Sequence, residues 1–263
     1  MAIPFFTPGD DPGPDFAALL RRTGNGPVVL PPEAADLIQV AHGTTCVAVR
    51  YADGVVMAGD RRATSGNWIS HRTIEKVFPA DRHSGVAIAG AAGPAVEMVR
   101  LFQLQLEHYE KVEGTRLSLE GKANQLSGMI RNNLPQAMAG LAVIPIFAGY
   151  DTKRGVGRLF QFDVTGGRYE EADHTATGSG SMHASTVVKL GFQPELTRED
   201  AVDLVLRALW EAADEDSATG GPDLIRRIYP IVATITAEGF TRIPDDELET
   251  RARTLIEALE GDR

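Results

Sequence analysis

Thr44-Thr-Cys-Val-Ala-Val-Arg-Tyr51 and Val55-Val-Met-Ala-Gly-Asp60 are two apolar, β-branched runs separated by Ala52-Asp53-Gly54. Asp-Gly suits tight hairpin turns, whose central positions need a positive φ that these residues accept. The two runs therefore predict an antiparallel hairpin and a sheet that starts at Thr44. Upstream of that point the character of the chain changes. Residues 1–43 carry Gly9-Asp-Asp-Pro-Gly13, scattered prolines and no regular apolar period. They read as an appendage: either a disordered tail or a segment with short amphipathic turns at Asp15-Phe-Ala-Ala-Leu-Leu-Arg21 and Pro32-Glu-Ala-Ala-Asp-Leu-Ile38.

Downstream, Gly85-Val-Ala-Ile-Ala-Gly90 predicts a third strand running into a helix on which Val96, Val99, Phe102, Leu106 and Tyr109 recur at helical spacing. A second helix carries Leu119, Ala123, Leu126, Ile130 and Leu134, ends at Pro135, and should lie beside the first. Val143-Ile-Pro-Ile-Phe-Ala-Gly-Tyr150 and Gly157-Arg-Leu-Phe-Gln-Phe-Asp-Val164 flank the turn-rich Asp151-Thr-Lys-Arg-Gly155 and predict an antiparallel pair. A helix is expected from near Ser181. Another follows Thr197-Arg-Glu-Asp200, a variant of the capping box, with Val202, Val205, Leu206, Leu209 and Ala213 on one face. Ile228-Tyr-Pro-Ile-Val-Ala-Thr-Ile-Thr236 returns to strand, and Pro244 opens a closing helix with Leu248, Ala252, Leu255 and Leu259. This order suits a pair of antiparallel sheets covered by helices on both outer faces.

Composition narrows the function classes. With 263 residues, 43% of them hydrophobic, the chain can bury one large core. Its single cysteine, Cys46, excludes an internal disulfide and gives no sign of an oxidising compartment. The N-terminus lacks a basic segment followed by an apolar one, and no apolar run is long enough for a membrane span, so a cytoplasmic address and no membrane partner are expected. The net charge of −10, without clustered Lys and Arg, argues against nucleic acid as a partner.

Common hydrolase and cofactor motifs are missing: no nucleophile elbow, Walker loop, zincin helix or dinucleotide fingerprint occurs. Histidines at 42, 71, 83, 108, 174 and 183 lack metal-ligand spacing, so neither metal nor cofactor is expected. Cys46, on the same strand face as Thr44, reads as a buried structural thiol. Taken alone, His42-Gly43-Thr44-Thr45 is an ordinary strand start. What gives it meaning is the ordered set that follows. Gly59-Asp60-Arg61-Arg62-Ala63-Thr64 comes first, then Lys76, Gly90 with Ala91-Ala-Gly93, Gly178-Ser179-Gly180 and Asp216-Ser-Ala-Thr219-Gly-Gly221.

That set resembles the active-site signature of proteasome β-subunits, most like the actinobacterial type, and the resemblance covers the chain after Gly43. It implies a four-layer αββα sandwich of the N-terminal-nucleophile hydrolases, with residues 1–43 a propeptide removed by autolysis at Gly43–Thr44 and residues 44–263 the catalytic domain. It implies Thr44 as nucleophile, Lys76 near its hydroxyl, Asp60 as that lysine's partner, and Gly90 as the oxyanion donor. Ser179, Asp216 and Thr219 would surround the threonine's amine; many relatives carry serine where this chain has Thr219, and the hydroxyl is kept. The family's substrate pocket falls on Ala63, Thr64, Ile74, Phe78, Ile88, Ala92 and Val96. With apolar walls and no acid at the base it should favour cleavage after large hydrophobic residues, although some of these residues can equally be core. Implied partners are proteasome α-subunits and other β-subunits in stacked heptameric rings, unfolded protein substrates, and an ATP-dependent unfoldase acting through the α-ring. Other N-terminal-nucleophile proteases or amidases, and a catalytically silent ring subunit, are the alternatives.

The chemistry explains the residue types. A threonine hydroxyl is a weak nucleophile and needs a base. Once freed, the α-amine of an N-terminal residue has an ordinary pKa of about 7.7–8.0, which a nearby lysine cation should lower. In the precursor the same nitrogen is an amide and cannot act as a base. Gly43 suits the cut because the lack of a Cβ lets the backbone bend toward the hydroxyl. A buried Lys76 charge is tolerable only with Asp60 beside it. Arg62 lies on the same side of an extended segment, where it can brace Asp60 or the C-terminal side of the site.

Overall fold

The structure is a computed structural model that describes residues 43–261, together with Ala18 and Arg22, both helical. The turns expected at Asp15–Arg21 and Pro32–Ile38 lie outside the described residues, Ala18 apart. The expected hairpin is present as β1 (Thr45–Tyr51) and β2 (Gly54–Gly59), with Cys46 opposite Gly59 and Tyr51 opposite Gly54. Strand β1 begins one residue later than predicted, so Thr44 stands just ahead of the sheet.

Two strands from distant parts of the chain complete this first sheet. His174–Gly178 (β10) pairs with β1, and Ile231–Thr236 (β11) pairs with β2 and with Gly239–Arg242 (β12), all antiparallel. The second sheet has the order β5-β6-β7-β8-β9: Val77–Asp81, Ser84–Gly90, Val143–Asp151, Val156–Phe162 and Arg168–Glu171, again antiparallel. A separate hairpin joins Ala63–Ser65 (β3) to Trp68–His71 (β4).

Strand periodicity sorts the side chains into layers. In β1, Cys46 and Ala48 face inward between the sheets, in one cluster with Ala87, Ile146, Ala148, Leu159 and Ile235, while Val47 and Val49 face outward. The outward face is covered by Ser181–Gly191 (α4) and Arg198–Glu215 (α5), with Asp245–Gly261 (α6) beyond. On the second sheet, Val86, Ile88, Phe147 and Phe160 point the other way, into Ala92–Glu113 (α1) and Leu119–Asn132 (α2). The result is the expected helix–sheet–sheet–helix sandwich. Both faces of the inner strands are buried, which is why β1 and β2 read as continuous apolar runs rather than as alternating ones.

Helix boundaries follow local chemistry. Ser118 caps α2 by accepting the Gly121 N–H at 3.1 Å, and Thr197 caps α5 by accepting the Asp200 N–H at 3.1 Å. Pro135 does not end α2, which stops at Asn132; it sits in the first turn of the short α3 (Leu134–Met138), where a missing N–H costs nothing. Tyr109, expected on the buried face of α1, is exposed; Leu106 is the last buried residue of that helix.

Candidate active site

The stretch from Gly43 to Thr45 enters the first sheet at the end where β1, β2 and β10 meet the loop after α5. With the Gly43–Thr44 bond intact, the Thr44 hydroxyl donates to the Gly43 carbonyl at 2.6 Å. The Lys76 ammonium donates to that same oxygen at 3.3 Å. Its other two protons go to Asp60 Oδ1 and the Arg62 carbonyl, each at 2.6 Å, so all three N–H bonds of a 1% exposed lysine are satisfied.

Asp60, fully buried, closes the arrangement. Besides Lys76, its Oδ1 accepts the Thr45 N–H at 2.8 Å, and its Oδ2 accepts the N–H groups of Arg62 at 2.8 Å and Gly220 at 2.9 Å. One carboxylate thereby ties the start of β1, the segment after β2, the lysine and the loop after α5. Arg62 fulfils both alternatives left by its position. Its backbone braces Asp60, while its guanidinium donates to the Ser217 carbonyl at 3.0 Å.

On the opposite side of Thr44 lies a second polar group. The Thr44 N–H points to Ser179 Oγ at 3.5 Å, and Ser179 N–H donates to the Thr44 carbonyl at 2.8 Å. Ser179 and Thr219 both donate to Asp216 Oδ2, at 2.5 and 2.6 Å. Burial pushes the Asp216 carboxyl upward, but hydrogen bonds from Ser179, Thr219 and the Ala218 N–H outweigh it and hold the group below its ordinary value. All three residues expected around this nitrogen are therefore brought together.

Gly90 ends β6 with φ of +109°, a conformation that side-chain-bearing residues rarely adopt, and a Cβ there would collide with the Ala142 carbonyl. It lines a cavity of about 280 Å³ shared with Gly43, Thr44, Ala63, Ile74, Phe78, Ile88, Ala92 and Val96. Of the seven expected pocket residues, Thr64 alone is not on this wall. Its hydroxyl lies beside Gly43 instead, 2.6 Å from where a Cβ on that glycine would stand. Ala218 Cβ crowds the same point at 2.6 Å, so the close packing of Gly43 adds a reason for glycine that the sequence did not reveal. Glu75 and Ala95 also line the cavity, beyond the residues expected there. Glu75 puts a carboxylate-bearing residue on a wall expected to be wholly apolar, and it pairs with Arg242 at 2.9 Å.

Cys46 is buried among the inter-sheet side chains, with its thiol directed to the Ile88 carbonyl at 3.5 Å. Burial pushes it up to about 12, far from the thiolate that alkylation requires. Iodoacetamide at pH 8 should leave the folded protein unlabelled and add one label in denaturant. Labelling of the folded chain at the rate of a free thiol would contradict this burial.

Comparison with known proteins places these residues in context. A family model described as "Proteasome subunit" matches residues 40–225. The chain is 61% identical over 259 residues to "Proteasome subunit beta" of Acidimicrobium ferrooxidans, covering 98% of this chain and 95% of the relative. It is 55% identical over 258 residues to "Proteasome subunit beta" of Streptomyces griseus, covering 96% and 90%.

Proposed function

Given that the chain belongs to the proteasome subunit family, we propose that it is the precursor of a threonine-type endopeptidase subunit of the proteasome core, activated by cleavage of its own Gly43–Thr44 bond. Its β-subunit relatives support the coarser reading, a peptidase subunit of the core particle. The observation that carries the finer one is the convergence on the Gly43 carbonyl: the Thr44 hydroxyl and the Lys76 ammonium both contact this oxygen while the peptide bond is intact.

In this mechanism the Thr44 hydroxyl adds to the Gly43 carbonyl carbon. Lys76 already contacts the oxygen on which negative charge develops, and a fixed cation in a dry site stabilises that charge strongly. The C–N bond then breaks as the proton given up by the Thr44 hydroxyl passes to the departing nitrogen, which becomes an amine, and the leader is held as an ester on Thr44 until water hydrolyses it. Residues 1–43 depart and the Thr44 nitrogen becomes an amine. The amine then serves as base for the neighbouring hydroxyl, with Ser179, Asp216 and Thr219 holding it in place. Asp60 pairs with Lys76 at 2.6 Å and holds it in position. Gly90 supplies the oxyanion N–H for incoming peptides. The nucleophile, base and oxyanion donor are all polypeptide groups, and the reading calls for no cofactor.

Substrate side chains enter the cavity beside Thr44. Its Ala63, Ile74, Phe78, Ile88, Ala92 and Val96 walls favour large apolar residues, and Glu75 pairs with Arg242 rather than offering a free charge. Burying such a side chain contributes about 1.5–3 kcal/mol, so kcat/KM for peptides cut after Tyr or Leu should exceed that after Arg or Glu by roughly 10–100-fold. Fluorogenic peptides differing only at that residue give the test, and preference for a charged residue would refute the pocket assignment. The reading extends to the assembly: heptameric β-rings stacked between α-rings in the cytoplasm, enclosing unfolded proteins delivered by an ATP-dependent unfoldase.

A further inference from the structure

Thr45, a residue with no part in the mechanism above, joins both halves of the site. Its N–H donates to Asp60 Oδ1 at 2.8 Å and its carbonyl accepts the Asp60 N–H at 3.1 Å. Its hydroxyl reaches the other half, 2.5 Å from Thr219 Oγ1, and accepts the Gly180 N–H at 3.0 Å. Thr45 and Thr219 are both fully buried.

Proton counting fixes the direction of this chain. An ionised carboxylate only accepts, so the single Thr219 proton goes to Asp216 Oδ2, 2.6 Å away. The contact between the two threonines must then use the Thr45 proton. Ser179 has a choice between Asp216 at 2.5 Å and the Thr44 carbonyl at 3.3 Å, and the shorter, charge-assisted bond prevails. With its proton committed there, Ser179 Oγ faces the Thr44 nitrogen as an acceptor. Every hydroxyl proton in the network thus runs toward Asp216, starting from Thr45.

We propose that Thr45 is a positioning residue for the reaction of Thr44: its hydroxyl orders the Thr219–Asp216–Ser179 network that orients the threonine amine. The proposal rests on the activity assigned above. Without the hydroxyl, Thr219 loses its donor and the Gly180 N–H is left buried without a partner. Gly180 directly follows Ser179, so the disturbance falls on the group that receives the amine. None of these residues lines the apolar cavity assigned to the substrate side chain.

The test compares assembled particles carrying Thr45→Val, Thr45→Ser, Thr219→Val and the Thr45→Val/Thr219→Val double change, assayed with a hydrophobic fluorogenic peptide. Removing the two buried hydrogen bonds of the Thr45 hydroxyl should lower kcat about tenfold in Thr45→Val, with KM within about twofold of the parent. Thr45→Ser should restore kcat, Thr219→Val should match Thr45→Val, and the double change should be no worse than either single one. An unchanged kcat in Thr45→Val, additive losses, or failure of serine to restore activity would overturn the proposal. Failure of Thr45→Val to assemble would likewise overturn it, by making the residue structural. All four variants retain Thr44, so none of these outcomes touches the nucleophile assignment, which fails separately if Thr44→Ala remains active.

Discussion

A Thr44→Ala chain is expected to assemble at full length, keep residues 1–43, and show no peptide hydrolysis above background. The substitution removes one hydroxyl and leaves the surroundings intact. Thr44 precedes the first strand, and among the described residues its side chain makes one hydrogen bond, to the Gly43 carbonyl. The backbone contacts to Ser179 do not depend on the side chain. Folding should therefore be nearly unaffected, while self-cleavage and substrate hydrolysis vanish together because they use the same oxygen. A conventional serine or cysteine protease site elsewhere would leave one of the two activities standing. Normal leader removal in this variant, by mass spectrometry of the assembled particle, would defeat the autolytic route.

The second large effect is an asymmetry within the Asp60–Lys76 pair. Asp60→Ala leaves a 1% exposed ammonium with carbonyl acceptors alone, and also strands the N–H groups of Thr45, Arg62 and Gly220. Removing one member of a buried pair costs about 3–5 kcal/mol, which for a domain of this size lowers Tm by roughly 6–20 °C. Lys76→Ala leaves Asp60 with three backbone N–H donors still in place, so the carboxylate remains solvated by the protein. It should lose less stability but at least about 10²–10³-fold in the rate of self-cleavage, and with it the peptidase activity that cleavage releases, because the cation beside the Gly43 carbonyl is gone. Thermal melts and kinetics on both variants separate the two effects. Equal destabilisation, or a Lys76→Ala enzyme of normal activity, would show that the pair does something else.

Legibility in the sequence follows the strength of local signals. The β1–β2 hairpin is plain because an Asp-Gly turn separates two β-branched runs, and α2, α5 and α6 because apolar residues recur on one face. The strands β3, β4, β9 and β12 escape such a reading: they are three or four residues long, and β4 is exposed throughout, so no apolar period marks them. β5 is hidden by Pro79, which a sheet tolerates here because β5 is an edge strand. β10 alternates buried and half-buried residues around threonines and a histidine, too weak a pattern to read alone.

At the site, Asp60 and Lys76 become legible only as members of an ordered set. Neither charge differs in the sequence from a solvated surface residue; the fold buries them together. Thr45 escapes notice for a related reason. It reads as one more β-branched strand residue, and its partner Thr219 is 174 positions away. Glu75 and Ala95 line the cavity through tertiary placement, with nothing in their spacing to announce it.

In the proposed mechanism, activity depends on the Thr44 nitrogen changing from an amide to an amine. The most direct test is to determine the N-terminus of the β-chain in purified, peptide-hydrolysing particles, by intact mass and sequencing. The expected result is a chain that begins at Thr44, with activity rising in proportion to its abundance. Particles that degrade peptides while every copy still carries Gly43 joined to Thr44 would contradict it.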